Sequence, residues 1–436
     1  MSIKINDIII RDIRFPTSKS FDGSDAMNVD PDYSAAHVTL KTNKLGLEGY
    51  GLTFTIGRGN EVCVAAIEAL SYLVKGLTLE EIITDMGKFA GYMESDSQLA
   101  WLGPQKGLIH IASAAIINAV WDLWARLEKK PLWKLVTDLP AKEIVKCVDF
   151  KNITDVITSE EAVEMLTRLS STKDQRIKKL IEEGYPAYST SAGWLGYDDK
   201  KLSEISKNLM IEGWKAIKIK VGKNLQDDLR RIKIVRNIIG PNKKIMIDAN
   251  QVWSVNQAIE YLNHFKEFNI HWIEEPTHPD DIIGHSKIRE SVNPMKIATG
   301  EHCHNKIMFK QLMQSKAIDF CQIDSCRLAG FNENLAVMIM ASKFNIPVCP
   351  HAGGVGLCEY VQHLSMIDFI AISGSMNNRM TEYVDCLRDY FTNPAKIKNG
   401  RYVIPYNDGY TVQMKESTLE DYSFPTGSIW KQSYEF

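Results

Sequence analysis

The sequence predicts an α/β protein in which an N-terminal α+β module precedes a closed barrel of parallel strands. Apolar residues alternate with period two at 3–10 and 35–41, and helical patterns follow them. From Tyr185 onward, short apolar runs alternate with helical stretches, which is the pattern of repeated βα units and a parallel sheet. The length of 436 residues also favours one large domain plus a smaller one over a single core.

The N-terminal module is predicted to combine strands with several helices. Residues 1–14 alternate apolar and polar side chains without a long apolar core or a cleavage site, so they predict a strand and not a secretory leader. Helical patterns cover about 60–75 and 78–92, and each begins with a capping residue. A further helix at 108–128 is rich in alanine, which permits close packing against a neighbour. We therefore expect this helix to lie in the core.

The second part is predicted to contain eight strands. In chain order they lie at 187–191, 216–221, 244–248, 271–274, 297–299, 320–324, 347–350 and 369–373. Eight short parallel strands separated by helices favour a closed barrel over an open doubly wound sheet. The first of them is not followed by a GxGxxG sequence, which argues further against a dinucleotide-binding fold.

The composition argues against several classes of partner. With 44% apolar residues, 24% charged residues and a net charge of -3, the chain is typical of a globular protein and offers no basic stripe for nucleic acid. Polar residues interrupt the longest apolar stretch, 108–124, so we expect no membrane span. The eight cysteines are scattered without a CxxC pair, which predicts reduced thiols and a cytoplasmic location.

Polar residues mark the C-terminal ends of the predicted strands, which is where barrel active sites lie. In chain order, with one for each βα unit, they are Lys220, Asp248, Glu274, Glu301, Asp324 and His351. A single charged residue at a strand end is usually a helix cap or part of a surface ion pair. Six such residues in register predict one shared site.

Three neighbouring carboxylates in this set predict a divalent metal site. Asp248, Glu274 and Glu301 would repel one another in one pocket unless a cation neutralised them. All-oxygen ligands favour Mg²⁺, although the histidines and cysteine at 302–304 leave a transition metal as an alternative. Because side chains alternate along a strand, only one of Glu274 and Glu275 can face the site, and we choose Glu274.

A lysine pair predicts the base of the site. Lys218 and Lys220 share one face of their strand, while the isoleucines between and beside them face the outer helices. Two ammonium groups and a divalent cation at close quarters are expected to lower the pKa of one lysine toward neutrality. Lys220, which is nearer the strand end, is the predicted base.

A carboxylate and an imidazole on adjacent strands predict an acid. Asp324 would orient the imidazole of His351 and leave its other ring nitrogen free for proton transfer. The glycine-rich run after His351 lets the backbone approach a ligand closely. Glu382 is a further candidate for a hydrogen bond to a substrate oxygen, with a helix cap as the alternative role.

These motifs resemble the mandelate racemase branch of the enolase superfamily over nearly the whole chain. They are the Lys-x-Lys strand at 218–220, Ile-Asp-Ala-Asn around Asp248, Trp-Ile-Glu-Glu-Pro around Glu274, Thr-Gly-Glu-His around Glu301, and the pair Asp324 and His351. The resemblance implies a modified TIM barrel, (β/α)7β, over 141–384. It also implies an α+β capping domain over 1–140 that the tail at 385–436 completes.

Loop segments add a finer resemblance within that branch. Residues 23–27, 30–33, 51–60, 193–197 and 350–359 are similar to those of L-fuconate dehydratases. The resemblance implies that Lys220 takes the C2 proton of an acid sugar whose carboxylate is held by Mg²⁺. His351, supported by Asp324, would then assist the loss of the 3-hydroxyl, and a 2-keto-3-deoxy acid would form.

The same resemblance implies which residues meet the substrate and how the chain assembles. The expected substrate-binding residues are Gly23, Ser24, Asp25, Tyr33, Lys218, Glu301, His351 and Glu382. Those at 23–33 would belong to a capping-domain loop that closes over the sugar, although an ordinary surface turn is the alternative for this small and polar segment. A small-molecule substrate and a homo-oligomer are implied as well.

Three other functions stay open on the residues alone. A racemase or epimerase would use Lys220 and His351 on opposite faces of its substrate. A Schiff-base aldolase needs an inward lysine but no site of three carboxylates. A non-catalytic binding protein has no reason to keep six charged groups in one pocket, since burying charge without need is costly.

Overall fold

The computed structural model describes residues 2–431, and its N-terminal part is a three-stranded antiparallel sheet in the order β1-β2-β3. The strands are β1 Ile5–Arg14, β2 Ser34–Thr42 and β3 Glu48–Thr55. The first two were predicted. The third was missed because its glycines and threonines obscure the alternation of apolar and polar residues.

Seven helices follow this sheet. They are α1 Asn60–Leu70, α2 Leu79–Thr84, α3 Met86–Glu94, α4 Leu99–Leu102, α5 Gly107–Leu127, α6 Leu132–Asp138 and α7 Ala141–Lys146. The single helix predicted at 78–92 is two helices, because the backbone leaves the helical region at Asp85 and the Asp85 side chain caps the second helix through the backbone N–H of Lys88.

Helix α5 is the core helix of the N-terminal part, as predicted. It packs on β3 at two glycines: a Cβ at Gly51 would lie 2.1 Å from the carbonyl oxygen of Ala115, and one at Gly49 would lie 2.4 Å from that of Ala119. By length and composition α5 meets the criterion for a membrane span, but 89% of that stretch is buried inside the protein. Small residues on both elements therefore set the distance between helix and sheet.

Seven strands form the barrel. They are β4 Tyr185–Ser189, β5 Ala216–Lys220, β6 Lys244–Asp248, β7 Ile270–Glu274, β8 Lys296–Thr299, β9 Phe320–Cys321 and β10 Thr381–Tyr383. They pair in parallel from β4 through β9, and β10 pairs with β4 in parallel. Between β9 and β10, residues 347–350 make one isolated bridge from Val348 to Cys321. The sheet thus curls into the predicted modified TIM barrel.

The prediction of a strand at 369–373 is wrong. Residues Asp368–Ile372 form a π-helical turn that continues a buried helix, and the last barrel strand is β10. All five residues of this turn are buried, so the segment is apolar on every side and its periodicity cannot separate a strand from a helix. As a consequence, Glu382 lies within the last strand and not after it.

Side chains alternate across the barrel wall as the sequence pattern predicted. One layer fills the barrel interior and contains Tyr188, Ala216, Met246, Trp272, Ala298, Phe320, Cys349 and Met380. The intervening residues Ile217 and Ile219 belong to the large outer core between strands and helices. Further along β5, on the interior side, Lys218 and Lys220 rise above the apolar layer.

The remaining elements surround the barrel or belong to the tail. They are α8 Ser159–Ser170, α9 Lys173–Glu183, α10 Asp199–Ile211, α11 Leu225–Ile239, α12 Val255–His264, α13 Ile282–Val292, α14 Lys306–Gln314, α15 Phe331–Lys343, α16 Leu357–Ile367, β11 Ile397–Lys398, β12 Arg401–Tyr402, α17 Glu416–Asp421 and α18 Ser428–Lys431.

The tail touches both parts of the chain. Strand β12 pairs antiparallel with barrel strand β4. Further on, Ser423 bridges to Ile13 of the N-terminal sheet, and the indole N–H of Trp430 donates to the carbonyl oxygen of Arg14 at 3.2 Å. The tail therefore ties the N-terminal sheet to the barrel.

Candidate active site

The strand ends bring the predicted metal ligands together. Asp248 ends β6, Glu274 ends β7, and Glu301 follows β8 after Gly300. These three buried carboxylates each offer an oxygen within 4.8 Å of the others. One oxygen of Glu301, Oε2, is buried without a hydrogen-bond partner among the described residues. The donor set is all oxygen, which fits Mg²⁺.

Burial and charge pull the pKa values of these carboxyl groups apart. Burial raises the pKa of Glu274 well above its usual value, and the neighbouring Lys218 only partly offsets this. Burial also raises the pKa of Glu301, although His351 opposes the rise. At Asp248 burial is outweighed by Lys220 and Lys218, which lower its pKa. Titratable groups held this close are typical of functional sites.

The two lysines of β5 form ion pairs with this cluster. The Lys220 ammonium lies 2.6 Å from Asp248 Oδ2. Lys218 is fully buried below it and contacts Glu274, Asp248 at 3.3 Å and Glu382 at 2.8 Å. Lys218 therefore lies under the site, and Lys220 is the lysine that lines the cavity.

The predicted lowering of the Lys220 pKa assumes a bound divalent cation, and the protein groups by themselves act in the opposite direction. Burial alone would lower it, but Asp248 and Glu301 outweigh both burial and the repulsion from Lys218, and the pKa is raised. Sequence reasoning counted the neighbouring cations and left out the carboxylate that β6 places next to Lys220. A metal ion bound to Asp248 would weaken the attraction between this carboxylate and the Lys220 ammonium, and the pKa of Lys220 would fall.

Asp324 and His351 form the predicted pair. His351 Nδ1 lies 2.7 Å from Asp324 Oδ2, and the other oxygen of Asp324 accepts the backbone N–H groups of Cys326 and Arg327. Because the carboxylate only accepts hydrogen bonds when ionised, Nδ1 carries a proton and Nε2 is directed elsewhere. Burial opposes the charge on His351, but Glu301 and Asp324 outweigh it and raise its pKa to about 10. In this structure His351 Nε2 accepts the backbone N–H of Gly353 at 3.2 Å.

Glu382 lies behind His351. One of its oxygens accepts the backbone N–H of Ala352 at 2.8 Å, and the other contacts Thr190 and Lys218. His351 Nε2 is 3.8 Å from Glu382 Oε2. Glu382 is 1% exposed and does not line the cavity. Its contact with substrate stays a prediction.

A cavity of about 280 Å³ lies over these groups, between the barrel mouth and the N-terminal sheet. From the predicted 23–33 loop, Gly23, Asp25 and Tyr33 line it. Ser24 does not belong to the described wall: its hydroxyl donates to the carbonyl of Phe21 and accepts the backbone N–H of Gly196. These hydrogen bonds fasten the loop to the barrel, and the contact between Ser24 and substrate stays a prediction.

Several cavity residues were not predicted as site residues. They include Phe54, Trp194, Asn250, His302 and Arg327. Trp194 belongs to a loop that was noted only for its resemblance, and Phe54 to the strand that was missed. Glu275 does not join the three carboxylates, because its backbone turn directs it to His302 at 2.7 Å. The choice of Glu274 for the carboxylate cluster agrees with this geometry.

The comparisons with known proteins agree with the fold. Residues 202–418 match the family model "Enolase C-terminal domain-like". The crystal structure of human Mitochondrial enolase superfamily member 1 is 49% identical and has a TM-score of 0.98. The match covers 100% of this chain and 99% of that one. The chain belongs to the enolase superfamily.

Two other known proteins are similar to this chain. L-galactonate dehydratase of Hypocrea jecorina is 48% identical over 95% of this chain and 93% of its own length. L-talarate/galactarate dehydratase of Salmonella typhimurium LT2, crystallised with Mg and L-lyxarohydroxamate, is 22% identical with a TM-score of 0.74, and the match covers 96% of this chain and 92% of that one. The second relative shares the superfamily fold with this chain.

Proposed function

We propose that this superfamily member is a Mg²⁺-dependent acid-sugar dehydratase that converts L-fuconate to 2-dehydro-3-deoxy-L-fuconate and water. The observation that carries the proposal is that Lys220 and His351 line one cavity with the metal-ligand candidate Glu301 between them. An amine and an imidazole that face one small ligand suit removal of a C–H proton by the first and protonation of a leaving hydroxyl by the second.

Lys220 is the base of the proposed reaction. It reaches the cavity from β5 and would take the proton at C2, the carbon next to the carboxylate. When bound, Mg²⁺ supplies positive charge that stabilises the developing negative charge on the substrate carboxylate. Asp248, Glu274 and Glu301 would hold the ion. When Asp248 binds the ion, its ion pair with the Lys220 ammonium would weaken, and this would favour the neutral amine.

His351 is the acid of the proposed reaction. With Nδ1 donating to Asp324 and a pKa of about 10, its imidazolium can donate a proton from Nε2. That proton would go to the 3-hydroxyl, which leaves as water. Loss of water would leave an enol between C2 and C3, and this enol would lose the proton of its C2 hydroxyl and take up a proton at C3 to give the 2-keto-3-deoxy acid.

The substrate assignment is supported by chemistry and by a relative. L-fuconate is the 6-deoxy form of L-galactonate, and L-galactonate is the substrate named for the relative from Hypocrea jecorina. The cavity wall also carries apolar side chains, among them Met27, Phe54, Ile56 and Ile111. Such a wall suits the C6 methyl group of L-fuconate.

A screen for keto-acid formation tests the proposal. Purified protein with Mg²⁺ is incubated with L-fuconate, L-galactonate and a panel of other acid sugars, and 2-keto acid is measured. We expect turnover with L-fuconate that EDTA abolishes and Mg²⁺ restores. If no member of the panel gives a keto acid, the proposed dehydration is wrong.

A racemase or epimerase is the second candidate, because Lys220 and His351 in one cavity would also serve proton exchange on two faces of C2. Proton NMR of the reaction separates the two functions. Inversion at C2 without keto acid would favour the second candidate. A Schiff-base aldolase is disfavoured, because Lys220 is paired with Asp248 beside two further carboxylates, and activity that survives EDTA would be needed to revive it.

A further inference from the structure

A second carboxylate–imidazole pair lies on the rim of the barrel, on the other side of Glu301. His302 Nδ1 is 2.7 Å from Glu275 Oε1 and 3.6 Å from Glu301 Oε1. His351 Nε2 lies 3.5 Å from the opposite oxygen of Glu301, Oε2. The two imidazoles therefore flank Glu301 and reach different parts of the cavity.

The fold holds Glu275 in an unusual backbone conformation. Glu275 has φ +44°, and Asn250 and Gln251 at the end of the neighbouring strand have φ +44° and +68°. These non-glycine residues lie in the left-handed region, which is disfavoured and concentrated at functional sites. Gln251 donates its backbone N–H to the Glu275 carbonyl at 2.9 Å and its side-chain amide to Glu275 Oε1 at 3.0 Å.

This conformation fixes the ring of His302. Glu275 is fully buried, and its carboxylate oxygen accepts a hydrogen bond from the N–H group at His302 Nδ1. His302 itself lines the cavity with 27% of its side chain exposed. Among residues 2–431, its Nε2 has no hydrogen-bond partner. This nitrogen is not fully buried. The free ring nitrogen is therefore open to a ligand.

We infer that His302 is a substrate-binding residue whose Nε2 hydrogen-bonds a hydroxyl of the acid sugar beyond C3, and that Glu275 is its positioning residue. The inference rests on the proposed function for its substrate class. In the proposed reaction C1 to C3 would face the metal ligands, Lys220 and His351, so the hydroxyls at C4 and C5 would be the groups left for His302. A hydroxyl can donate to Nε2 or accept from it, whereas a hydrogen in its place can do neither.

Binding of deoxy analogues tests the inference. The Lys220→Ala protein with saturating Mg²⁺ binds L-fuconate and its 4-deoxy and 5-deoxy analogues without turnover, and calorimetry measures each affinity. Adding His302→Ala should lower the affinity for L-fuconate by about tenfold, as expected for one or two lost hydrogen bonds. One deoxy analogue should bind equally well with and without His302, because the contact is already lost.

Variants of the partner residue test the positioning role. Glu275→Gln keeps an acceptor oxygen for Nδ1 and should retain most of the affinity, whereas Glu275→Ala should reproduce the loss seen with His302→Ala. His264→Ala, an exposed histidine at the end of α12, is the matched control and should leave every affinity unchanged. Mg²⁺ affinity measured without sugar should stay within about twofold in all of these variants.

Two outcomes overturn the inference. If His302→Ala weakens L-fuconate and both deoxy analogues by the same factor, or leaves all three unchanged, His302 does not contact a C4 or C5 hydroxyl. If Mg²⁺ affinity falls with the sugar affinity, Glu275 and His302 belong to the metal site instead. Keto-acid formation by the unmodified protein is measured separately. If sugar binding depends on His302 but no keto acid forms, the inference about His302 holds and the proposed dehydratase function is wrong.

Discussion

At the scale of single residues, one carboxylate decides the charge of the site. Asp248 Oδ2 lies 2.6 Å from the Lys220 ammonium and 3.3 Å from that of Lys218. The two lysines lower its pKa, and it raises that of Lys220. Whether Lys220 acts as a base therefore depends on what else Asp248 binds.

Replacement of the base gives the first prediction. Lys220→Ala should abolish exchange of the C2 hydrogen of L-fuconate in deuterated water, because Lys220 is the one lysine that lines the cavity among residues 2–431. Mg²⁺ binding should be largely kept, since the three carboxylates remain. Exchange is followed by proton NMR and Mg²⁺ binding by calorimetry. Exchange at the rate of the unmodified protein would contradict the base assignment.

Replacement of the acid gives the second prediction. His351→Asn should slow keto-acid formation by about 10²- to 10⁴-fold, the usual contribution of a general acid. C2 hydrogen exchange should continue, because Lys220 is untouched. The two rates are measured on the same sample. Equal loss of exchange and dehydration would show that His351 does more than donate a proton to the leaving group.

At the scale of elements, the rim is produced by strand register and by the turns that follow. Lys220, Asp248 and Glu274 are paired across β5, β6 and β7, so their side chains emerge side by side. Beyond the strand ends, the left-handed backbone at Glu275 turns two adjacent glutamates to different partners. Strand register therefore places Lys220, Asp248 and Glu274 side by side, and the turn directs Glu275 to a different partner.

The buried helix α16 gives a third prediction. Burial raises the pKa of Glu359 on this helix to about 7, above its usual value of 4.5. The unfolded chain then loses this proton at lower pH than the folded chain, so the unfolded state binds fewer protons between those values and stability falls as pH rises through this window. Glu359→Gln should remove that slope and stabilise the protein at pH 8 by at most about 3 kcal/mol.

Urea unfolding at pH 4.5 and pH 8 measures this effect. Glu164→Gln on the exposed side of α8 is the control and should leave the pH slope unchanged. The side-chain amide introduced by Glu359→Gln would still have an oxygen for the backbone N–H of Ala395, which Glu359 accepts at 3.1 Å. A slope that persists in Glu359→Gln would assign the pH dependence to other groups.

At the scale of the whole molecule, the site lies where the two parts of the chain meet. The cavity has walls from the N-terminal sheet and loop and a floor from the barrel. Buried contacts fasten this junction: His110 of α5 lies 2.6 Å from Glu333 of α15, and the indole N–H of Trp121 donates to Asn332 at 2.7 Å.

Metal binding gives the fourth prediction, at this scale. Mg²⁺ should raise the melting temperature, because it relieves repulsion among Asp248, Glu274 and Glu301. At 100 times its dissociation constant it should add about 2.7 kcal/mol of stability. Glu301→Gln should reduce the shift, and Glu164→Gln should keep it. Thermal scans with Mg²⁺ and with EDTA measure it, and identical melting temperatures would argue against the site.

Much of the fold was predictable because its signals are local. Alternation marked β1, β2 and the barrel strands β4 to β9, and polar residues at strand ends marked the rim. The errors share a physical cause. The π-helical turn at Asp368–Ile372 is buried on all sides, and β3 carries glycines that α5 requires, so neither shows the periodicity expected of its structure.

The sequence by itself determined the barrel, its rim of charged groups and the oxygen-rich donor set, because residue type and spacing along a strand fix which side chains emerge together. Only the tertiary structure decided which partner each charge has. Asp248 raises the pKa of Lys220, Ser24 fastens a loop, Lys218 and Glu382 lie beneath the cavity wall, and Glu275 orients His302. Charge pairing depends on distances between distant segments, and no local pattern encodes them.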